Sequence, residues 1–131
     1  MKNKTCLIIL PTSHGQDISS TLRLSILIDI IKEFEKEGLS FKLATYRGNK
    51  PYLNFENDDK NRNWAIKNED ILLNVLNIDN ISVSKFDGLF IPNYIYIYEE
   101  LKLKDHNLTK LINQFHNSNK AICTIGHSLY A

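Results

Sequence analysis

The amino-acid sequence predicts an α/β domain in which helices cover both faces of a parallel sheet. Two observations lead to this prediction. Short apolar runs that fit buried strands recur along the chain, and segments with helical periodicity separate them. Strands that alternate with helices in one short chain are typical of a parallel sheet with right-handed crossovers.

The first half of the chain is predicted to be a strand, a helix and a second strand. Residues 5–11 form a wholly apolar run that a proline ends, which suits a strand covered on both faces. A helix with a broad apolar face is expected to begin at Ser19 or Ser20 and to stop at Gly38. Apolar and polar residues alternate over residues 39–46, which predicts the second strand.

The second half begins with residues 49–68, which are rich in Asn, Asp and Lys and are interpreted as a long surface excursion. The remaining elements are expected in this order: a short helix at 70–76, a third strand at 86–92, a loop leading to a helical turn at 93–98, a helix capped by Asp105, and a last strand at 121–125.

The composition indicates one globular domain that spans residues 1–131. The chain has 43% hydrophobic and 24% charged residues, enough to bury a core. A formal net charge of +1 without a basic cluster gives no electrostatic reason to expect direct binding of nucleic acid. No apolar run approaches the ~20 residues that span a bilayer, so membrane insertion is not expected.

Both cysteines, Cys6 and Cys123, stand inside apolar runs and are expected to be buried core thiols. Cysteines that remain free thiols fit a reducing compartment, and the start of the chain lacks the pattern of a signal peptide. We therefore expect a cytoplasmic protein.

The turn after the last predicted strand carries Gly126, His127 and Ser128. In a parallel sheet the carboxyl ends of the strands meet at one edge, which is where ligands bind. That edge is predicted to gather residues 13–17, 47–49, 93–96 and 126–128. The side chains expected to meet there are His14, Asp17, Asn93, Tyr94, His127 and Ser128.

Two catalytic interpretations of this region are weak. The segment from Gly126 to Ser128 has the form of a serine nucleophile elbow, but Tyr130 stands where that motif needs a small residue, and no acid and histidine follow. Cys123 as a thiolate nucleophile would lie within the strand, three residues before the turn, where burial keeps a thiol inert.

Aromatic residues are the candidates for contacts with partners. Trp64 is either an exposed contact anchor or a plug that folds back onto the domain. Tyr96, with Tyr94 and Tyr98, forms either an aromatic contact surface or part of the packing.

The histidines and cysteines do not indicate a metal site or a cofactor. His106 and His116 are expected to be exposed helix residues, and the spacing of the chain's histidines and cysteines is too wide for zinc.

Three segments, in this order along the chain, suggest a family. Residues 86–92, 111–116 and 120–127 resemble the class I glutamine amidotransferase-like superfamily, which includes the PfpI proteases and the Parkinson-disease protein family, and the segment 61–64 is similar to one particular member. The resemblance implies a flavodoxin-like three-layer sandwich. It covers about the first two thirds of such a domain, so the chain is expected to be incomplete at its carboxyl end, with one sheet edge uncovered and a tendency to dimerise or aggregate.

Active members of this superfamily have a cysteine at the elbow, an acidic residue near the end of the first strand and a Gly-Gly oxyanion turn after the third. The corresponding positions here are Gly126, His127 and Ser128 at the elbow, Asp17 after the first strand, and Asn93 and Tyr94 at the oxyanion turn. Because Gly126 has no side chain to attack a substrate, the resemblance implies a catalytically degenerate protein.

The resemblance further implies a non-catalytic subunit that binds protein partners or a second copy of itself, in a cytosolic assembly associated with early endosomes and messenger RNA transport. The alternative is a residual hydrolase or deglycase, or a small-molecule sensor, that uses Asp17, His127 and Ser128 in the same crevice.

Overall fold

A computed structural model of the chain describes residues 4–12, 22–55, 57–104 and 106–125. A five-stranded sheet lies at its centre, and each pair of neighbouring strands is parallel. In chain order the strands are β1 (Thr5–Ile9), β2 (Leu22–Arg23), β3 (Ser40–Thr45), β4 (Leu53–Asn54), β5 (Leu76–Asn77), β6 (Gly88–Ile91) and β7 (Ala121–Thr124). The order across the sheet is β5-β3-β1-β6-β7, and β2 pairs separately with β4.

Helices lie on both faces of this sheet. They are α1 (Leu24–Lys36), α2 (Asp59–Lys67), α3 (Glu69–Leu73), α4 (Tyr94–Leu103) and α5 (Leu108–Asn117), with short 3₁₀ turns at Tyr46–Gly48, Ile78–Asn80 and Val83–Lys85. The prediction of a flavodoxin-like three-layer α/β fold with a parallel sheet is confirmed.

The central strand β1 divides the core into two layers. Successive side chains of a strand point to opposite faces of the sheet. Leu7 and Ile9 pack on the side that holds α4 and α5, whereas Ile8 and Leu10 pack on the side that holds α1, α2 and α3. All four side chains are buried, which is why the run is apolar without alternation.

Helix α1 ends where the sequence predicts. Gly38 has a φ of +71°, a conformation that glycine adopts at little cost, and it follows the last helical residue by two positions. The predicted start lies outside the described residues at Ser19 and Ser20, and Leu22 and Arg23, expected to be helical, form strand β2 instead.

The predicted long excursion at 49–68 is wrong in detail because it contains β4 and α2. The Asp58 side chain accepts a hydrogen bond of 2.8 Å from the Lys60 amide and so caps α2. The pairing of β4 with β2 anchors the segment before this helix. The predicted helix at 70–76 ends at Leu73, and Leu76 already belongs to β5, a strand that the sequence analysis did not predict.

The predicted loop at 93–98 is wrong, because α4 begins at Tyr94, directly after the turn that follows β6 and includes Asn93. Ile97 and Leu101, four residues apart, are both buried against α5 and the sheet. Asp105, the predicted cap of the next helix, lies outside the described residues, and the Asn107 side chain caps α5 by accepting from the Lys110 amide at 3.0 Å.

Strand β7 lies at one edge of the sheet, and Ala121, Cys123 and Thr124 on it are exposed. Its partly buried residue is Ile122, which packs against the layer formed by α4 and α5. Among the described helices, none is long and apolar enough to cross a bilayer.

We predict that Phe115→Ala lowers the free energy of unfolding by about 3–5 kcal/mol, because Phe115 is fully buried between α5 and the sheet and its loss leaves a cavity. Urea unfolding followed by circular dichroism measures this change. The exposed neighbour provides the control: His116→Ala is expected to change stability by less than about 0.5 kcal/mol. Equal losses in the two variants would contradict the core assignment.

Candidate functional site

The carboxyl edge of the sheet is the predicted site, and the structure describes part of it. His14, Asp17, Gly126, His127 and Ser128 lie outside the described residues. The exits of β1, β3, β6 and β7 are described up to Thr12, through the turn at Tyr46–Gly48, through Asn93 and Tyr94, and up to Ile125.

Backbone hydrogen bonds join the exits of β6 and β7. The Tyr94 amide donates to the Ile125 carbonyl at 2.8 Å, and the Ile125 amide donates to the Ile91 carbonyl at 2.9 Å. Asn93 is 1% exposed, and its backbone carbonyl accepts a hydrogen bond from the Ile97 amide at 3.0 Å as α4 begins. The Tyr94 amide therefore holds two strand exits together and is not directed at a ligand.

The tyrosines of α4 differ in their surroundings. The rings of Tyr94 and Tyr98 stack with their centroids 5.9 Å apart, and Lys102 Nζ lies 5.9 Å from the Tyr98 centroid. Tyr94 is half-buried against the core, whereas Tyr98 is exposed. Tyr96 belongs to α4 by its backbone, and its side chain lies outside the described residues.

A buried carboxylate connects α4 to the exit of β1. Glu100 Oε1 accepts from the Thr12 amide at 2.9 Å, from the Thr12 hydroxyl at 2.6 Å and from Lys104 Nζ at 3.3 Å. The Glu100 side chain is only 3% exposed. Burial of a charge is costly unless it is paired and hydrogen-bonded, and these contacts meet both conditions.

Lys104 extends the same cluster to the exit of β3. Its Nζ lies 3.3 Å from the Thr12 hydroxyl and 4.7 Å from the centroid of the Tyr46 ring, which attracts the ammonium group. Thr12, Tyr46, Glu100 and Lys104 together, which we call the edge cluster, therefore connect two strand exits and one helix at the edge where ligands bind in this fold.

The edge cluster is suited to a structural role, in which it fixes the strand exits relative to α4. An oxygen that already accepts three hydrogen bonds has little capacity left to take a proton from a substrate. Sequence reasoning missed this cluster because Thr12 and Glu100 are 88 residues apart. The sequence does indicate one contact of this cluster, since Glu100 and Lys104 have the spacing of a favourable helical ion pair.

Trp64, a predicted contact residue, is half-buried and packs against the core layer that contains α1. The exposed apolar side chain on the same helix is Ile66, which is 71% exposed.

The expectation that His106 is an exposed helix residue is wrong. It precedes α5, its side chain is 10% exposed, and its Nε2 lies 2.8 Å from Asp79 Oδ1. The contact joins the connection between α4 and α5 to the 3₁₀ turn Ile78–Asn80, which no local sequence pattern reveals. His116 is exposed on α5, as expected.

The expectation that Cys123 is a buried core thiol is also wrong, because the edge position of β7 leaves Cys123 exposed. Cys6 is partly buried in the central strand. Burial, with a smaller contribution from the Cys123 thiol, raises the pKa of Cys6 to about 12. Cys6 is therefore protonated and unreactive near neutral pH.

Within the described residues, no group of three or more His, Cys, Asp or Glu side chains is arranged to hold a metal ion. No protein-family model matches the chain, and no curated protein is significantly similar to it in sequence.

We predict that Glu100→Gln lowers the free energy of unfolding by about 1.5–3 kcal/mol, because hydrogen bonds to a charged acceptor are lost and Lys104 is left without its carboxylate. Chemical denaturation measures this loss. The adjacent, exposed Glu99 is a matched control, and Glu99→Gln is expected to stay within about 0.5 kcal/mol of the parent chain. An unchanged midpoint in Glu100→Gln would show that the edge cluster does not stabilise the fold.

We predict that iodoacetamide modifies Cys123 in the native chain and leaves Cys6 unmodified at pH 8. The raised pKa of Cys6 keeps its thiolate scarce until the pH approaches 12, so alkylation of Cys6 rises with pH only far above the usual range for cysteine. Mass spectrometry of the Cys123→Ser and Cys6→Ser variants separates the two sites. Rapid native labelling of Cys6 would contradict its burial.

Proposed function

We propose that the chain is a catalytically degenerate member of the class I glutamine amidotransferase-like superfamily and acts by binding other proteins. The resemblance of the sequence motifs suggests the family, and the flavodoxin-like fold is compatible with it. The observation that supports the loss of catalysis most is the hydrogen bond from the Tyr94 amide to the Ile125 carbonyl.

The reason lies in the chemistry of acyl transfer. An oxyanion hole needs preorganised N–H groups aimed at the developing negative charge, and loss of one donor costs about 10²–10³ in kcat. By the resemblance, Asn93 and Tyr94 stand at the oxyanion turn, and the amide of Tyr94 is already bonded at 2.8 Å. Gly126, at the nucleophile position, brings no reactive atom.

The proposed partners are proteins in a cytoplasmic complex, or a second copy of this chain, and the resemblance suggests an assembly on early endosomes that takes part in messenger RNA transport. Exposed apolar side chains on α2 and α3, Ile66 and Leu73, support a role in protein binding. A net charge of +1 gives no support for direct contact with RNA.

The loss of catalysis is tested by an esterase, deglycase and glutaminase screen of the full chain. We expect no turnover above background, and no difference between the parent chain and its Ser128→Ala and Cys123→Ser variants. Turnover that either substitution abolishes would contradict the proposal and favour the alternative of a residual hydrolase.

The binding role is tested by affinity capture with the full chain as bait, and an unrelated domain of similar size serves as the control bait. A partner that returns in fixed stoichiometry and co-elutes with the purified chain is expected. Failure to recover any such partner, together with a monomeric chain, would count against a binding role.

A further inference from the structure

A surface pocket of about 610 Å³ lies at the β5 edge of the sheet. Strand β5 has two residues and pairs only with Ala44 and Thr45, so the earlier part of β3 has no described strand on that side. Lys42, in that part of β3, and Leu76, at the start of β5, both line the pocket. A pocket of this volume is large enough to hold a small organic molecule.

Part of the pocket wall is apolar. Val75 and Ile81 are half-buried there, and Leu76 is 36% exposed. The wall also contains polar side chains that can donate hydrogen bonds, namely Thr5, Asn77, Asn80 and Ser82. Apolar walls that carry a few polar groups are typical of sites for small molecules.

Two lysines give this pocket a positive charge. Lys42 and Lys85 are both exposed and line it, and the described residues around it include no carboxylate. Within the described part of the chain, no ion pair engages either lysine. A cleft lined by charges of one sign concentrates ions of the opposite sign, so the pocket favours an anion.

The two acidic residues that flank this segment in the sequence are engaged in other contacts. Asp79 Oδ1 lies 2.8 Å from His106 Nε2, and Asp87 Oδ2 accepts a hydrogen bond of 2.9 Å from the Thr5 amide. These contacts hold both carboxylates in place. The two lysines are therefore left to pair with an anion from outside the chain.

We propose that this pocket binds a small phosphate monoester with an apolar body. A phosphate group carries close to two negative charges at neutral pH, which match the two ammonium groups, and its oxygens accept hydrogen bonds from the polar side chains of the wall. The apolar body of the ligand covers Leu76 and Ile81. None of the pocket residues belongs to the edge cluster, and the inference does not depend on the proposed function.

The test is a titration of the full chain with phenyl phosphate, followed by nuclear magnetic resonance in phosphate-free buffer at about pH 7.5, where the ligand is mostly a dianion. We expect saturable shifts of the Asn77, Ile81 and Ser82 amides, with a Kd of the order of a few millimolar for a ligand of this size. Binding is expected to weaken at high salt. Inorganic phosphate lacks the ring, benzoate has a single charge, and benzyl alcohol has none, so each is expected to bind more weakly than phenyl phosphate.

Lys42→Gln and Lys85→Gln are each expected to weaken binding at least about fivefold, because each removes one charged donor. Lys32→Gln removes an exposed lysine from α1, on the other face of the sheet, and is expected to leave the Kd unchanged. Circular dichroism confirms that each variant is folded. The absence of shifts up to about 20 mM would overturn the inference, as would an unchanged Kd in the Lys42→Gln, Lys85→Gln double variant. Benzoate or inorganic phosphate that binds as tightly as phenyl phosphate would overturn the assignment of the ligand class.

Discussion

The structure depends on the burial of β1 from both sides. Four consecutive apolar side chains, Leu7 to Leu10, are at most 2% exposed, and they alternate between two layers of helices. A strand of this kind must be covered on both faces. The burial of this one strand therefore requires α1 on one side of the sheet and α4 with α5 on the other. Burial of one such side chain contributes roughly 1.5–3 kcal/mol, which makes this strand a major source of stability.

The carboxyl edge of the sheet shows how that core constrains function. Thr12 lies three residues after the end of β1, and Glu100 on α4 accepts hydrogen bonds from both the amide and the hydroxyl of Thr12. On the neighbouring exit, the Tyr94 amide bonds to Ile125 as α4 begins. At these exits the Thr12 amide and hydroxyl and the Tyr94 amide therefore bond to groups of the chain itself.

The sequence predicts the fold where the signal is local. The unbroken apolar run of β1 indicates a strand buried on both faces, and the broad apolar face of α1 with Gly38 after it indicates the helix and its end. The segment 93–98 is expected to be a loop that leads to a helical turn, because Pro92 precedes it and Glu99 and Glu100 follow it, but α4 already begins at Tyr94. Ile97 and Leu101 are four residues apart, and as helical residues both pack into the core. These contacts with distant parts of the chain stabilise the helix, and a short stretch of sequence does not reveal them.

The candidate site is harder to predict because its contacts join distant parts of the chain. Glu100 and Thr12 meet only once β1 and β6 are neighbours, and that order is a property of the whole sheet. The exposure of Cys123 has the same origin, since an apolar run does not reveal whether its strand lies at the centre or at the edge. The assignments of Gly126 to the nucleophile position and of Asp17 to the acidic position remain predictions from sequence.

Hydrogen exchange at the Tyr94 amide, measured by nuclear magnetic resonance, tests most directly the claim that this amide is bonded to the neighbouring strand exit. The 2.8 Å bond to the Ile125 carbonyl predicts protection similar to that of the strand amides, such as the Ile125 amide bonded to Ile91. Exchange of the Tyr94 amide as fast as that of an unprotected surface amide would contradict the account, because that N–H would then be open to a ligand.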